Sequence, residues 1–561
     1  MLKRLRVMLV ALVVLAALLA AAAPAFAVHR PTKVMIVVMD QMQPGYAKQF
    51  NMTNVLWLQN RGVNFPNAWV GDMASETVVS HNVMVSGLLP KHMGWSDEAF
   101  RDVDNILGYG ENAIVTSGDL GTSAYVKLIE NMDYPKLGDY LKVKFPDKIV
   151  ANVGQKGYQV ESMAASSSDI WVRMGSAKAV STLPTDTVPW TGKYRGPSGS
   201  GPGGVLPTYI SNDTRFLISA GNASDAYGTT TTPPAWIYAE DGRYAPSEYA
   251  GHESGDAWVA DAALKIMDNE DWSGLWVTFS AIDKIGHMWG GGAVDTLATY
   301  NWDPNDFLQN TIHMPWVAKN ADDQLGKLIG KLKEKGQLND TLIIVTADHG
   351  STYGADPDGF KGVNALNAGN NLNWYAGAWH AGSSTESTST GSPALAPLMA
   401  TGNVEFSYQS TAIETWLKDR TGAKKHEAAD VMATLPGVIA TYIKNGDRYR
   451  LDSSSTSMTP QERLWWAATG QQLVDSMCFS GSAEVVGLLA DKTSYGAFGD
   501  HGGAQKDVQR IPMAWYMPGM KHAADKSKIR LVDMMPTILK TMGIKATEPM
   551  DGSAYTLRLP K

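Results

Sequence analysis

Thr341-Leu-Ile-Ile-Val-Thr-Ala-Asp-His-Gly350 is the stretch that decides the fold. An apolar, β-branched run of this length is the pattern of a strand buried on both faces of a parallel sheet. The run stops at Asp348-His349-Gly350. In open α/β sheets ligands bind at the carboxyl ends of the strands, and Asp beside His is a ligand pair suited to zinc. Taken alone, a carboxylate after a strand is more often a turn or cap residue. The chain, however, repeats the arrangement.

Lys33-Val-Met-Ile-Val-Val-Met-Asp40 and Gly274-Leu-Trp-Val-Thr-Phe-Ser-Ala-Ile-Asp283 are two further apolar strands that run into an acid. Amphipathic helices are predicted over about 254–267 and 314–335, and the latter feeds the Thr341 strand. Strand–helix–strand alternation of this kind implies right-handed crossovers and a mostly parallel sheet. Asp40, Asp283 and Asp348 would then emerge at one edge, where His287, His349 and His501 stand at or near Gly-rich turns. Three Asp and three His are too many ligands for one zinc and suit two divalent ions. Such ions relieve the repulsion among crowded carboxylates and clamp an in-line displacement at phosphorus.

A hydroxyl between the ions would complete the arrangement. Thr77 opens a predicted helix closed by Ser86-Gly87 and Pro90, so it is the candidate nucleophile, with the helix N-terminus favouring a phosphoryl group. The competing reading of Thr77 is a simple N-cap.

Composition narrows the function classes. The chain has 561 residues and a formal charge of −8. Residues 1–27 read as a secretory signal peptide: basic Lys3, Arg4 and Arg6, an apolar run, then Ala25-Phe26-Ala27. Its removal takes the charge to about −11, which argues against nucleic-acid scaffolds and anionic membranes as partners. No later run is long and apolar enough to span a bilayer, so a secreted or periplasmic protein without a membrane anchor is expected. The single Cys, Cys478, excludes an internal disulfide framework.

Four segments carry a family resemblance. Thr77 with Ser86-Gly87, Asp283-Lys-Ile-Gly-His287-Met-Trp-Gly290, Thr346-Ala-Asp348-His349-Gly350 and Gly499-Asp-His501-Gly502 resemble, in order, the nucleophile and metal segments of the alkaline phosphatase superfamily. Leu531-Val-Asp-Met-Met-Pro and Met550-Asp-Gly are similar to its closing helix and tail. The branch it resembles is the nucleotide pyrophosphatase/phosphodiesterase type, whose nucleophile is Thr.

The resemblance implies an α/β fold, with a doubly wound, mostly parallel central sheet and helices on both faces. Residues 28–561 form the catalytic domain, with an insertion at about 96–251 on the substrate side and a small α+β insertion at about 395–480. It also implies two divalent ions, with zinc expected, one held by Asp283, His287 and His501, the other by Asp40, Asp348 and His349 with Thr77 as a further ligand beside it. The substrate is expected to be a small phosphoester, with diester or pyrophosphate cleavage favoured. The alternatives are a Thr-type alkaline phosphatase acting on monoesters, and a secreted binding protein that has lost the chemistry. A sulfatase is disfavoured, because Thr77-Val-Val-Ser-His lacks that group's Cys/Ser-x-Pro-x-Arg.

Two departures mark the substrate side. Where the diesterase branch carries a phosphoryl-binding Asn, this chain has Ser96-Asp97-Glu98, so Glu98 is a candidate that alters substrate choice. Val153-Gly-Gln-Lys156-Gly-Tyr158 resembles a segment of Thr-dependent alkaline phosphatases in which Lys and a following Arg bind the transferred group; Lys156 fits and Tyr158 does not. His380 competes with His501 for the last ligand position, and His501 is preferred. His81, one turn into the Thr77 helix, is read as packing or support.

Overall fold

The structure, a computed structural model, describes residues 29–116, 127–128, 130–164, 168–174, 190–194, 207–211, 254–283, 286, 313–352, 395–495 and 499–560. The signal-peptide reading, His287 and His380 lie outside the described residues.

In chain order the strands are β1 (Lys33–Met39), β2 (Val63–Asn64), β3 (Ala99–Asp102), β4 (Ala113–Thr116), β5 (Ile149–Gly154), β6 (Ile170–Met174), β7 (Trp190–Tyr194) and β8 (Trp272–Phe279). They continue as β9 (Thr341–Thr346), β10 (Val404–Gln409), β11 (Ala412–Leu417), β12 (Val438–Asn445), β13 (Arg448–Ser454), β14 (Val485–Leu489), β15 (Met513–Tyr516) and β16 (Ala523–Ala524). The main sheet has the order β16-β2-β15-β9-β1-β8-β5-β6-β7. Its centre, β9-β1-β8-β5-β6, is parallel throughout, and β15 and β7 join it antiparallel. β1, β8 and β9 are buried at every position, which is why all three read as unbroken apolar runs rather than alternating ones.

Two helix layers cover this sheet. Helices α1 (Thr53–Arg61), α2 (Thr77–Ser86), α3 (Leu137–Lys144), α4 (Gly157–Met163), α5 (Ser254–Asn269), α6 (His313–Glu334), α7 (Gly422–Ala433), α8 (Pro460–Ser476) and α9 (Met534–Met542) follow in sequence. α1 and α5 pack on α6, whereas α2 packs with α3, α4 and α9. α2 stops because Gly87 takes up a left-handed conformation (φ 69°) that a side chain disfavours.

β5 and β6, which fall within 96–251, are strands of the main sheet itself. β3 and β4 form a separate two-stranded ribbon. Residues 404–489 build a second, five-stranded sheet in the order β10-β11-β14-β12-β13, antiparallel wherever strands pair, with α7 packed on it. β14, the strand ahead of His501, therefore belongs to this second sheet and not to the parallel one. Buried Arg101 of β3 ties the ribbon to it through Glu405 at 2.8 Å and Glu484 at 3.5 Å.

Register places the parallel ends level. Met39 pairs with Phe279, Val38 with Thr346, and Gly154 with Thr278. The residues just beyond these positions share one edge.

Candidate active site

Asp40 follows β1 directly, and Asp348 and His349 follow β9 after one residue. Asp283 arrives differently from the sequence expectation. β8 ends at Phe279, and Asp283 stands in the helical turn after it. Asp256 fixes that turn by accepting the amide hydrogens of Ser280 (2.9 Å) and Ala281 (3.2 Å), since a chain leaving a sheet must find partners for its freed amides. Lys156 is the N-cap residue of α4, two residues beyond β5.

These side chains converge. Asp40, Asp348 and His349 offer ligand atoms within 4.8 Å of one another, and so do Asp283, His349 and His501. His349 Nε2 lies 3.5 Å from Asp40 Oδ1 and from Asp348 Oδ2, and 3.2 Å from Thr77 Oγ1. The His349 and His501 rings stack with centroids 3.6 Å apart, and His501 Nε2 is 3.5 Å from Asp283 Oδ1. All six described residues are buried.

Thr77 is not the cap of its helix. Glu76 is the N-cap residue, Thr77 is the first helical residue, and no side chain caps the helix. The cap reading of Thr77 is thereby replaced: its hydroxyl points at His349 rather than back at the helix amides, which stay available to an anion. His81 anchors the same helix, with Nδ1 2.7 Å from Thr77 O and Nε2 3.0 Å from Thr278 Oγ1 of β8.

The electrostatics are those of a crowded anionic site. Burial, with the charges of Asp283 and Asp348 added to it, raises Asp40 well above the usual carboxylate range; Lys156 opposes this. Burial works against ionisation of Asp348 too, but His349, His81 and Lys156 outweigh it and hold that carboxyl low. Burial and the neighbouring His501 push His349 down to about 3, so its imidazole is neutral and able to ligate. For His501, burial is outweighed by the Glu76 and Asp283 carboxylates, and its pKa is raised well above the ordinary value.

Lys156 is the described cation at the centre. Its Nζ donates to Asp40 Oδ2 at 2.7 Å and to Asp283 Oδ2 at 2.6 Å. Glu98 lies instead among the acids on the His501 side, where its charge is felt at Glu76 and Asp97. There burial raises Asp97 to about 7 and Glu414 well above the usual range.

Three polar residues at the site carried no signal in the sequence. Gln41, at φ 66°, donates its backbone amide to Asp348 Oδ1 (3.1 Å) and its side chain to Asp283 Oδ1 (3.3 Å) and Gly499 O (2.8 Å). It thus spans both clusters. Gln159 donates to Asp40 and accepts from Ser280 Oγ at 2.8 Å. Glu76 meets His501 Nδ1 at 2.6 Å.

The Gly after His349 is required by a close approach. A Cβ on Gly350 would lie 2.0 Å from Asp507 O and 2.9 Å from Arg510 O, while Gly350 N donates to Val508 O at 2.7 Å. Gly350→Ala is therefore expected to destabilise the protein by about 1–3 kcal/mol through overpacking, read as an earlier midpoint in chemical denaturation.

Comparison with known proteins agrees with this architecture. No curated protein sequence matches the chain. Among solved structures, wild-type alkaline phosphatase PafA is similar at a TM-score of 0.57 and 14% identity, over 92% of this chain and 97% of that one. Human ectonucleotide pyrophosphatase/phosphodiesterase 5 is similar at 0.47 and 12%, over 93% and 97%. Residues 34–465 match the type I phosphodiesterase/nucleotide pyrophosphatase family. That span holds Asp40, Asp283, Asp348 and His349 beyond the parallel strand ends with Thr77 beside them, and the chain belongs to this family.

Proposed function

We propose that the chain is an exported hydrolase that cleaves phosphodiester or pyrophosphate bonds through a phospho-threonine at Thr77. Family membership supports phosphoester hydrolysis. The observation that carries the finer reading is the Thr77 hydroxyl, buried 3.2 Å from His349 Nε2 at the head of an uncapped ten-residue helix. Export rests on the N-terminal signal-type sequence; among the described residues no helix is long and apolar enough to cross a membrane.

The donor set fits two divalent ions. Among the described residues, Asp40 Oδ1 and Asp348 Oδ2 are buried without a hydrogen-bond partner, a costly state for a carboxylate unless a cation takes it up. Asp40, Asp348 and His349 would hold one ion, and Asp283 and His501, with His287, the other; zinc suits this mixture of imidazole and carboxylate. Bound there, the ions would supply charge neutralisation and make hydroxyl groups more acidic.

The chain's own residues do the rest. Thr77 Oγ1 forms the bond to phosphorus as the bond to the leaving oxygen breaks, and the proton lost from Thr77 is balanced by the one the departing oxygen takes up from solvent. Water then attacks the same phosphorus and restores the Thr77 hydroxyl. The free amides at the start of α2 face the phosphoryl oxygens, where donors fixed in advance are worth most. Gln41 and Gln159 hold the carboxylates in place, and burial keeps bulk water from the threonine.

The position of Lys156 favours a second reading, hydrolysis of monoesters. An ammonium at this point offers a charge to the additional anionic oxygen of a terminal phosphoryl group. Rates on p-nitrophenyl phosphate and bis(p-nitrophenyl) phosphate separate the two: comparable or faster diester cleavage is expected, and a monoester rate hundreds of times higher would establish the second reading. Lys156→Ala should lower kcat/KM by about 10²–10³-fold, the loss of one positioned donor. A greater loss on the monoester would assign Lys156 to the terminal phosphoryl, whereas equal losses would assign it to support of Asp40 and Asp283.

A further inference from the structure

Glu76 occupies a position where its side chain is expected to do something else. N-cap residues are ordinarily Ser, Thr, Asp or Asn, whose short side chains accept a helix amide. Glu76 accepts none. Its carboxylate is instead buried, 2% exposed, with Oε2 2.6 Å from His501 Nδ1 and Oε1 accepting the Tyr408 hydroxyl at 3.2 Å. Burial, with the charges of Glu98 and Asp97 added to it, works against an anion here, and Glu414 feels the Glu76 charge in turn, so the helix start gives up a cap for a contact that costs charge repulsion as well.

That contact locks together two segments far apart in the chain, around Glu76 and His501. Gly502 N donates to Ser75 O at 3.1 Å and Gly503 N to Ser75 Oγ at 2.9 Å. A Cβ on Gly502 would lie 1.9 Å from Glu76 Oε1, and Gly502 sits at φ 83°. The His501 loop is thus laid directly on the residues before Thr77. A carboxylate in ion-pair contact with Nδ1 favours the proton on that nitrogen, so that a cation displaces a proton only from Nε2, and His501 Nε2 is the atom turned toward Asp283.

We propose that Glu76 is a positioning residue that fixes the tautomer and orientation of His501 for a divalent cation shared with Asp283, and that ties this cation to the nucleophile through the adjoining peptide bond. The inference rests on the two-ion reading above. Tyr408, from β10 of the second sheet, holds the carboxylate in turn. No cation in the Asp40, Asp348 and His349 cluster depends on Glu76, so its loss should be felt at one ion only.

The experiment measures zinc binding to the full chain by chelator competition, with metal content by elemental analysis and folding by circular dichroism. E76A is expected to weaken one of two zinc equivalents by about 10–100-fold, the usual effect of removing a carboxylate behind a ligating histidine, with the other within about twofold of wild type. E76Q should lose less, because its amide oxygen accepts without charge. Tyr408→Phe should lose least. His501→Ala should weaken the same equivalent as E76A. Unchanged affinity of both equivalents in folded E76A, or equal weakening of both, would overturn the inference while leaving the two-ion reading standing. If E76A does not fold, unchanged affinity in E76Q overturns it. A wild-type chain that takes up no zinc would remove both readings together.

Discussion

Thr77→Ala is expected to lower kcat on every phosphoester the enzyme cleaves by on the order of 10⁴–10⁶-fold, the scale seen when a covalent nucleophile is removed. The loss should leave the scaffold in place. Thr77 is the first helical residue and provides no cap, so alanine, the best helix former, keeps α2 intact. Neither Gln41 nor Gln159 bonds to Thr77, so the carboxylates keep their supports. Zinc content should therefore stay near wild type while turnover collapses. Thr77→Ser should keep most of the activity, since it retains the attacking oxygen. Acid quenching of wild type during turnover should trap phosphate on the peptide containing Thr77, and T77A should trap none. Retention of more than about 1% of wild-type kcat by folded T77A would exclude the covalent route. Collapse of the wild-type rate in folded T77A would in turn exclude a protein that keeps this fold only for binding, which should show no Thr77-dependent turnover at all.

The parts of this site that were legible in the sequence are those the backbone delivers. β1 and β9 show as apolar runs because both of their faces are buried, and an acid that ends such a run must emerge at the shared edge. Lys156 was reached differently, through the resemblance of Val153-Gly-Gln-Lys156-Gly to a known segment, and it stands two residues past β5. Asp283 was found by a rule that does not hold for it: it stands on a turn held by Asp256, and no local pattern distinguishes that turn from continuation of the strand. The support residues were not legible. Gln41 meets Gly499 across 458 positions and Glu76 meets Tyr408 across 332. Each is a common polar residue in an ordinary setting until the fold brings its partner. The second sheet was visible as a small α+β unit, but its link to the site through Tyr408 and the His501 loop depends on tertiary contact alone.

Exhaustive chelation should abolish turnover and lower the thermal midpoint by on the order of 10 °C. An ion present at about 1,000 times its dissociation constant stabilises the folded state by about 4 kcal/mol, so two ions contribute about 8. The shift per kcal/mol is about 2–4 °C for domains of 150–250 residues and smaller for a longer chain. Without the ions, Asp40, Asp283 and Asp348 stay buried together with Lys156 bridging Asp40 and Asp283. The metal-free protein then has a characteristic pH response. Asp40 and His501 both have folded pKa values raised well above the ordinary ones, so the folded state holds protons that the unfolded chain releases, and their contribution to stability is lost as pH rises. His349, depressed to about 3, works in the opposite sense, but its contribution is complete once pH exceeds the unfolded value near 6.5. As pH rises above the unfolded histidine value near 6.5, the gap between metal-bound and metal-free midpoints should therefore widen, because ligands already bound to a cation have no such protons to lose. Scans at matched rates measure it, since unfolding of a chain this large is often irreversible. Zinc added back should restore both midpoint and rate. A verified metal-free protein that melts and turns over like the untreated one would show that the buried carboxylates are balanced by the chain itself.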